Sequence, residues 1–378
     1  MILNGIMAAL ALLSLALTLW QWLAARRFPL HRRATDVSFA PGVTVLKPLK
    51  GCDEFTESCL RSWFAQKYAG EMQIILAVAD ADDPVCSVVE KLRREFPQCD
   101  SQLVICPERL GANAKVSKLA QIEPRAKHEI IIVSDADVRV PEDFLASAVA
   151  PLRDEKVGLV NGFYRLANPT TVAMQWEAVA INADFWSQVL QSKSLKPLDF
   201  ALGAVMVTRR KQLAEIGGFR VLEDCLADDY QLGHRIAKHG HCIELCPIVV
   251  DCWSSTMYFL DVWSHQSRWA RTIRVCQPGP YFASILSNGT IWPLLLYLLF
   301  PNILSEYFLA FCLVTRAIMV ADLQRRLARK PFSLPDGLLA PLKDLLQVLL
   351  WISAFLGNTV VWRGEKYKIR RDGTMVRR

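Results

Sequence analysis

Residues 1–25 carry no charge and are mostly leucine and alanine. A run of that length can cross a hydrocarbon core about 30 Å thick, so lipid or other apolar helices must surround it. A secretory signal would begin with basic residues and hold a shorter apolar stretch. Here the basic residues come afterwards, as Arg26, Arg27, Arg32 and Arg33. The positive-inside rule then puts the N-terminus outside and the following domain in the cytoplasm, at the inner or plasma membrane in a bacterium. Residues 1–25 are read as a transmembrane anchor.

Two more apolar regions lie near the C-terminus. Residues 281–322 read as a helical hairpin: Glu306 is the one charge in 281–315, Pro301 and Asn302 fall near the middle, and Arg316, Arg325, Arg326, Arg329 and Lys330 mark the exit. Residues 338–362 read as an interfacial or re-entrant segment, because a full span would put the basic tail, 363–378, on the wrong side of the bilayer. The net charge of +7 is more than accounted for by the four arginines after the anchor and by this tail, with Arg363, Lys366, Lys368, Arg370, Arg371, Arg377 and Arg378 against Glu365 and Asp372. Basic residues beside apolar runs point to lipid headgroups and not to nucleic acid. The chain is 52% hydrophobic, which excludes a disordered protein. Its eleven cysteines include no CxxC pair, and Cys242, Cys246 and Cys252 lack the spacing of a zinc site. Reduced thiols in a cytosolic core are expected, with no structural metal and no disulfide.

Residues 41–280 alternate strand-like runs with helical periods, the pattern of an α/β domain. Strands are expected at 43–48, 72–79, 101–106 and 129–134, and helices at 54–66 and 85–96. Two strands end in acidic clusters, Asp80, Asp82 and Asp83 after the second and Asp135 and Asp137 after the fourth. Ligands bind beyond the carboxyl ends of strands in open α/β sheets. Two acids in an aspartate-x-aspartate turn can share a hard divalent cation, which would neutralise a bound diphosphate. The leading reading is a nucleotide-diphosphate site using Mg²⁺ or Mn²⁺, with Lys115 at the end of a Gly/Asn-rich loop (110–115) as a further nucleotide-sugar contact. A dehalogenase-type phosphatase would want Thr or Val where Arg139 stands. Downstream, Gly217 and Gly218 form a tight turn that leaves Phe219 to line a pocket. Asp228 and Asp229 open a helix. Asp228 could cap it and Asp229 could merely complement its dipole, yet Asp229 is also a candidate general base. His265, Arg268 or Trp269, and Thr272 share one side of a helix, and an arginine held by an aromatic neighbour suits a departing diphosphate. For Arg274, beside the membrane, headgroup contact is expected.

Taken in order, these motifs resemble an inverting GT-A glycosyltransferase. More narrowly they are similar to the ceramide glucosyltransferases of glycosyltransferase family 21, with which bacterial hopanoid-linked transferases share motifs. The specific marks are Leu46-Lys47-Pro48-Leu49-Lys50-Gly51, Asp80-Ala81-Asp82-Asp83-Pro84, Lys156-Val157-Gly158-Leu159-Val160 and Trp362-Arg363-Gly364-Glu365-Lys366-Tyr367. The resemblance implies a mixed, mostly parallel sheet. It matches Asp83 to the first family aspartate at the nucleotide, Asp135 to the second near metal and diphosphate, and Asp137 to the completion of that motif. Asp229 matches the third aspartate, the presumed base, with Gly217, Gly218, Phe219 and Asp228 on the acceptor side. Arg268 and Trp269 match a closing motif whose first place, usually Gln or Arg, is here His265. The donor implied is UDP-glucose and the acceptor the primary hydroxyl of ceramide, giving a β-linked glycolipid; a hopanoid or other membrane lipid is the alternative. A processive polysaccharide synthase would need more membrane helices, and a binding scaffold would have no reason to keep mutually repelling acids together.

Overall fold

The computed structural model describes residues 1–329, 331, 334–362 and 364–377; Lys330, Arg363 and Arg378, invoked above for their charge, lie outside them. After α1 (Ile2–Arg27) come β1 (Val43–Pro48), α2 (Thr56–Phe64), β2 (Met72–Val78), α3 (Val85–Glu95), β3 (Asp100–Ile105), α4 (Ala114–Ile122) and β4 (Ile130–Ser134). Then follow β5 (Val138–Arg139), α5 (Phe144–Val149), β6 (Val157–Leu166), α6 (Val172–Val179), a π-helical stretch Ala180–Phe185, α7 (Trp186–Leu195), β7 (Val205–Arg209), α8 (Arg210–Glu215), α9 (Asp228–Lys238) and β8 (Cys242–Cys252). These strands form one sheet in the order β3-β2-β1-β4-β7-β6-β8-β5. β1 pairs in parallel with β2 and β4, β2 with β3, and β6 with β8, whereas β7 and β5 run antiparallel to their neighbours.

Central strands of such a sheet are covered on both faces and read as unbroken apolar runs. All six residues of β1 and all five of β4 are buried. Helices close the faces through apolar positions one helical turn apart, as with Val85, Val89 and Leu92 of α3. Val45 of β1 pairs with Ile74 of β2 on one side and Ile132 of β4 on the other, so the ends of β2 and β4 flank the end of β1. Strand spacing is about 4.8 Å, which puts the two acidic clusters on one edge, one strand apart.

The hairpin expected at 281–322 takes a different form. α10 (Phe259–Cys276) and α11 (Pro278–Ala283) lead to α12 (Ile291–Leu299), and the stretches Pro278–Ser287 and Ile291–Leu299 meet at a 54° bend. α13 (Ile303–Ala328) then runs for 26 residues without a break, capped by Asn302. α1, α13 and the segment Asp336–Phe355 are long and apolar enough to cross a membrane, and the bent pair makes a fourth candidate. Arg316, expected at the exit of this region, has specific partners. It is buried in α13, bonded to Asp184 at 2.7 Å and to Asp344 at 2.8 and 2.9 Å, and Lys343 also reaches Asp184.

After α14 (Leu334–Leu338) and α15 (Ala340–Phe355), the chain forms β9 (Thr359–Trp362), β10 (Glu365–Ile369) and β11 (Met375–Arg377). The segment 338–362 is therefore a helix followed by a strand, and the supposed tail adds two more strands to make a three-stranded antiparallel sheet. Val360, Tyr367, Ile369 and Met375 bury Leu226, just ahead of α9. Met375 N–H donates to the Asp224 carbonyl at 2.7 Å, and Arg109 binds Glu365 at 3.0 Å.

Candidate active site

The acids after β2 and those after β4 are built differently. Asp83 uses both carboxylate oxygens to accept the Gly51 N–H, at 3.1 and 3.0 Å, and Oδ1 also accepts from Val85 N–H at 3.0 Å. Gly51 adopts φ 71°, a conformation suited to glycine. Asp83 thus ties the loop after β1 to the loop after β2. Asp80 accepts the Asp82 N–H at 3.0 Å, and both side chains are exposed.

Asp135, Asp228 and Asp229 gather around Lys115. The ammonium lies 2.8 Å from Asp135 Oδ1 and 3.2 Å from Asp228 Oδ2. Two elements place it. Asn113 caps α4 by accepting the N–H groups of Lys115 and Val116, and its amide donates to the Cys225 carbonyl at 2.8 Å and to Asp228 Oδ1 at 3.3 Å. The starts of α4 and α9 are thereby stitched together. Asp228 consequently does not cap its helix, where Ala227 holds the cap position without a side-chain bond; it serves Lys115 and Asn113 instead.

Asp229 accepts the Tyr230 N–H at 2.8 Å. Surrounding protein, then the neighbouring charge of Asp228, outweigh the attraction of Lys115 and raise its carboxyl to about 6. Gly203, just before β7, leaves room for it, since a Cβ there would stand 2.9 Å from Asp229 Oδ2. Gly203→Ala is expected to displace the carboxylate and lower turnover about tenfold or more with the fold retained, as checked by initial rates beside a circular dichroism melt.

The Asp137 side chain is exposed, yet the protein packed beside it, then the like charge of Asp135, raises its carboxyl to about 6. Its backbone is pinned, accepting from Trp253 N–H at 3.0 Å and from the Cys59 thiol at 3.3 Å. Beneath the turn lies Lys47, fully buried in β1, which donates to the Asp135 carbonyl at 2.7 Å and the Ser134 hydroxyl at 3.1 Å and packs 4.8 Å from the Trp63 ring centre. Burial brings this lysine down to about 8. Hard carboxylate oxygens under mutual repulsion fit Mg²⁺ or Mn²⁺. Among the described residues no group of three or more His, Cys, Asp or Glu side chains could hold a metal, so diphosphate or water oxygens would have to complete such a site.

The glycine turn differs from expectation. Gly217 and Gly218 do adopt φ 93° and 73°, but Phe219 is 1% exposed in the main core and lines no pocket. Its N–H donates to Glu123 Oε2 at 2.9 Å, and that carboxylate occupies the space a Cβ on Gly218 would need. The closing motif lies on α10. His265 Nδ1 sits 2.6 Å from Glu177 Oε1, Trp269 meets His265 edge-on with ring centres 5.0 Å apart, and Trp269 also packs 5.9 Å from Phe185. The Arg268 carbonyl accepts from Thr272. Arg274, expected at headgroups, binds Asn358, as Arg271 binds the Thr359 carbonyl, holding the approach to β9. The far end of α10 touches α9, with Tyr230 OH donating to the Cys276 carbonyl at 3.2 Å. Lys47, Asn113, Glu177 and Gly203 went unassigned from the sequence. Only Lys47 carried a signal, as a charge inside an apolar strand.

Comparison with known proteins yields consistent findings. Residues 6–375 match the family model described as Glycosyl transferase family 21. Ceramide glucosyltransferase 3 of Caenorhabditis elegans is 24% identical over 222 residues, covering 58% of this chain and 48% of that protein. Ceramide glucosyltransferase 1 of the same organism is 21% identical over 92% of this chain and 75% of that protein. Beta-monoglucosyldiacylglycerol synthase of Trichormus variabilis is 26% identical over 73% of this chain and 59% of that protein. The chain thus spans about half the length of the first of these relatives. A solved mannosyltransferase from Pyrobaculum calidifontis, in complex with GDP-Man and Mn²⁺, superposes with a TM-score of 0.55 at 22% identity, covering 94% of this chain and 98% of that one. The shared fold is the GT-A glycosyltransferase fold.

Proposed function

Because the chain belongs to glycosyl transferase family 21, we propose that it is a membrane-bound inverting glycosyltransferase that moves glucose from UDP-glucose to the primary hydroxyl of ceramide. The observation that carries this reading is the convergence of Asp135, Lys115, Asp228 and Asp229 at one sheet edge. Asp80, Asp82 and Asp83 would border the nucleotide. Lys115 and Asp135 would meet the donor, and Asp135 with Asp137 would hold Mg²⁺ or Mn²⁺, which supplies positive charge against the diphosphate. Arg268 would face the departing diphosphate and Trp269 the acceptor, with the turn at Gly217 and Gly218 supporting that side through backbone shape. Asp229 would accept the hydroxyl proton as the lipid oxygen attacks the anomeric carbon. The bond from that carbon to phosphate breaks with its electron pair leaving on UDP, so configuration inverts to β.

A lipid acceptor requires the site to open at the bilayer. Tyr258, Phe259 and Leu260 at the start of α10 are exposed, and the same helix runs to α9 at its other end. The cytoplasmic placement of this domain follows the arginines after α1. α15 is tied to residues of the catalytic unit at both ends, Lys343 to Asp184 and Asn358 to Arg274, which favours its lying against that unit as an interfacial segment. Diacylglycerol is a second acceptor reading, favoured by the likeness to a diacylglycerol-named relative, and a hopanoid remains a third.

The donor half is tested by calorimetric titration of UDP-glucose into protein in detergent. Binding is expected with Mg²⁺ or Mn²⁺ and should weaken at least tenfold without metal or in Asp135→Asn. Equal affinity under all three conditions would overturn the metal and donor assignment.

A further inference from the structure

The histidine at the first place of the closing motif is already committed. Glu177, 1% exposed on α6, spends one carboxylate oxygen on α10, accepting His265 Nδ1–H at 2.6 Å and the Gln266 amide at 2.9 Å. Its other oxygen, Oε2, is buried with no hydrogen-bond partner among the described residues. A carboxylate on Nδ1 fixes which ring nitrogen carries the proton, leaving Nε2 of the neutral ring with its lone pair. The His265 side chain is 29% exposed, so the ring is not sealed inside the protein.

We propose that His265, oriented by Glu177, accepts a hydrogen bond from the hydroxyl of the lipid acceptor through Nε2, and that it does not bind the nucleotide diphosphate. Two arguments support this. A diphosphate calls for cations or several donors, and an imidazole whose Nδ1–H is spent on a carboxylate offers an acceptor instead. His265 is six residues into α10, about 9 Å along its axis, between the exposed Tyr258, Phe259 and Leu260 and the end of the helix that touches α9. A lipid entering over that apolar edge with its headgroup toward Asp229 would pass it.

This inference rests on the lipid-transferase reading, so its test uses binding and needs no turnover. Full-length protein in nanodiscs would be titrated with diacylglycerol, with triacylglycerol as the matched lipid lacking a free hydroxyl, with ceramide and its 1-O-methyl ether, and separately with UDP and Mg²⁺. Wild type is expected to prefer the free hydroxyl in at least one pair. His265→Arg, which can still pair with Glu177 but offers no acceptor nitrogen, should reduce that preference about three- to tenfold without lowering UDP affinity. Glu177→Gln should reduce it in the same direction, again without affecting UDP. An unchanged preference in both variants, no preference in wild type, or a selective loss of UDP affinity in His265→Arg would each overturn the proposal. Failure of wild type to bind UDP would overturn the transferase reading separately.

Discussion

Asp229→Asn is expected to lower sugar transfer by a factor of about 10²–10⁴, with UDP binding retained and the thermal melt not lowered. The amide keeps the size of the side chain and its acceptor for Tyr230 N–H but accepts no proton from a hydroxyl. The wild-type pH profile carries the same prediction. The Asp229 carboxyl is raised to about 6, and a general base works only when deprotonated. Rate should therefore be full well above pH 6 and fall about tenfold per unit below it. Asp137 is raised to the same value, but a bound divalent cation displaces its proton, so the limb at saturating metal reports Asp229. Initial rates from pH 4.5 to 8 in both proteins check this. A limb that persists in Asp229→Asn assigns the base elsewhere.

Arg316→Met should destabilise the protein by about 3–5 kcal/mol, because it strips the cation from two buried carboxylates. Asp184 would keep Lys343, whereas Asp344 would keep the Thr290 hydroxyl at 2.7 Å and a more distant lysine at 3.7 Å. This network joins the π-helical stretch of the catalytic unit to α13, α15 and the bend between α11 and α12. Its loss should appear as a lower melting temperature in detergent and as faster proteolysis. Arg316→Met combined with Asp344→Leu should cost less than the sum of the two single changes, since it removes both members of one pair. Strict additivity would contradict the coupling inferred here.

Where local pattern and burial agree, the fold was legible in the residues. β1 is 43–48 as expected, and α3 and β4 fall within one residue of the expected ends, because continuous apolar runs between turn formers leave few alternatives. The acids at the strand ends were equally visible, but their partners were not. Lys115 meets Asp228 only because Asn113 joins two helix starts 115 residues apart in the chain, a relation no local pattern carries. Phe219 shows the converse error. A glycine pair before an aromatic does make a turn, yet whether the ring faces a pocket or the core depends on the residues packed around it from distant parts of the chain. The partners of the charges in the apolar regions were hidden as well. Arg316, Lys343 and Asp184 with Asp344 form one buried network whose members lie on different helices far apart in the chain. The C-terminal sheet was hidden for a similar reason, since alternation over three to five residues in a basic segment gives little sign of a strand.

The central claim, sugar transfer from a nucleotide donor to a membrane lipid, is tested most directly by incubating membranes that contain the protein with labelled UDP-glucose and a panel of ceramide, diacylglycerol and hopanoid, beside Asp229→Asn membranes. The account predicts a labelled, alkali-stable glycolipid formed from ceramide and absent in the variant. No labelled lipid from any acceptor, in protein that binds UDP-glucose, would contradict it.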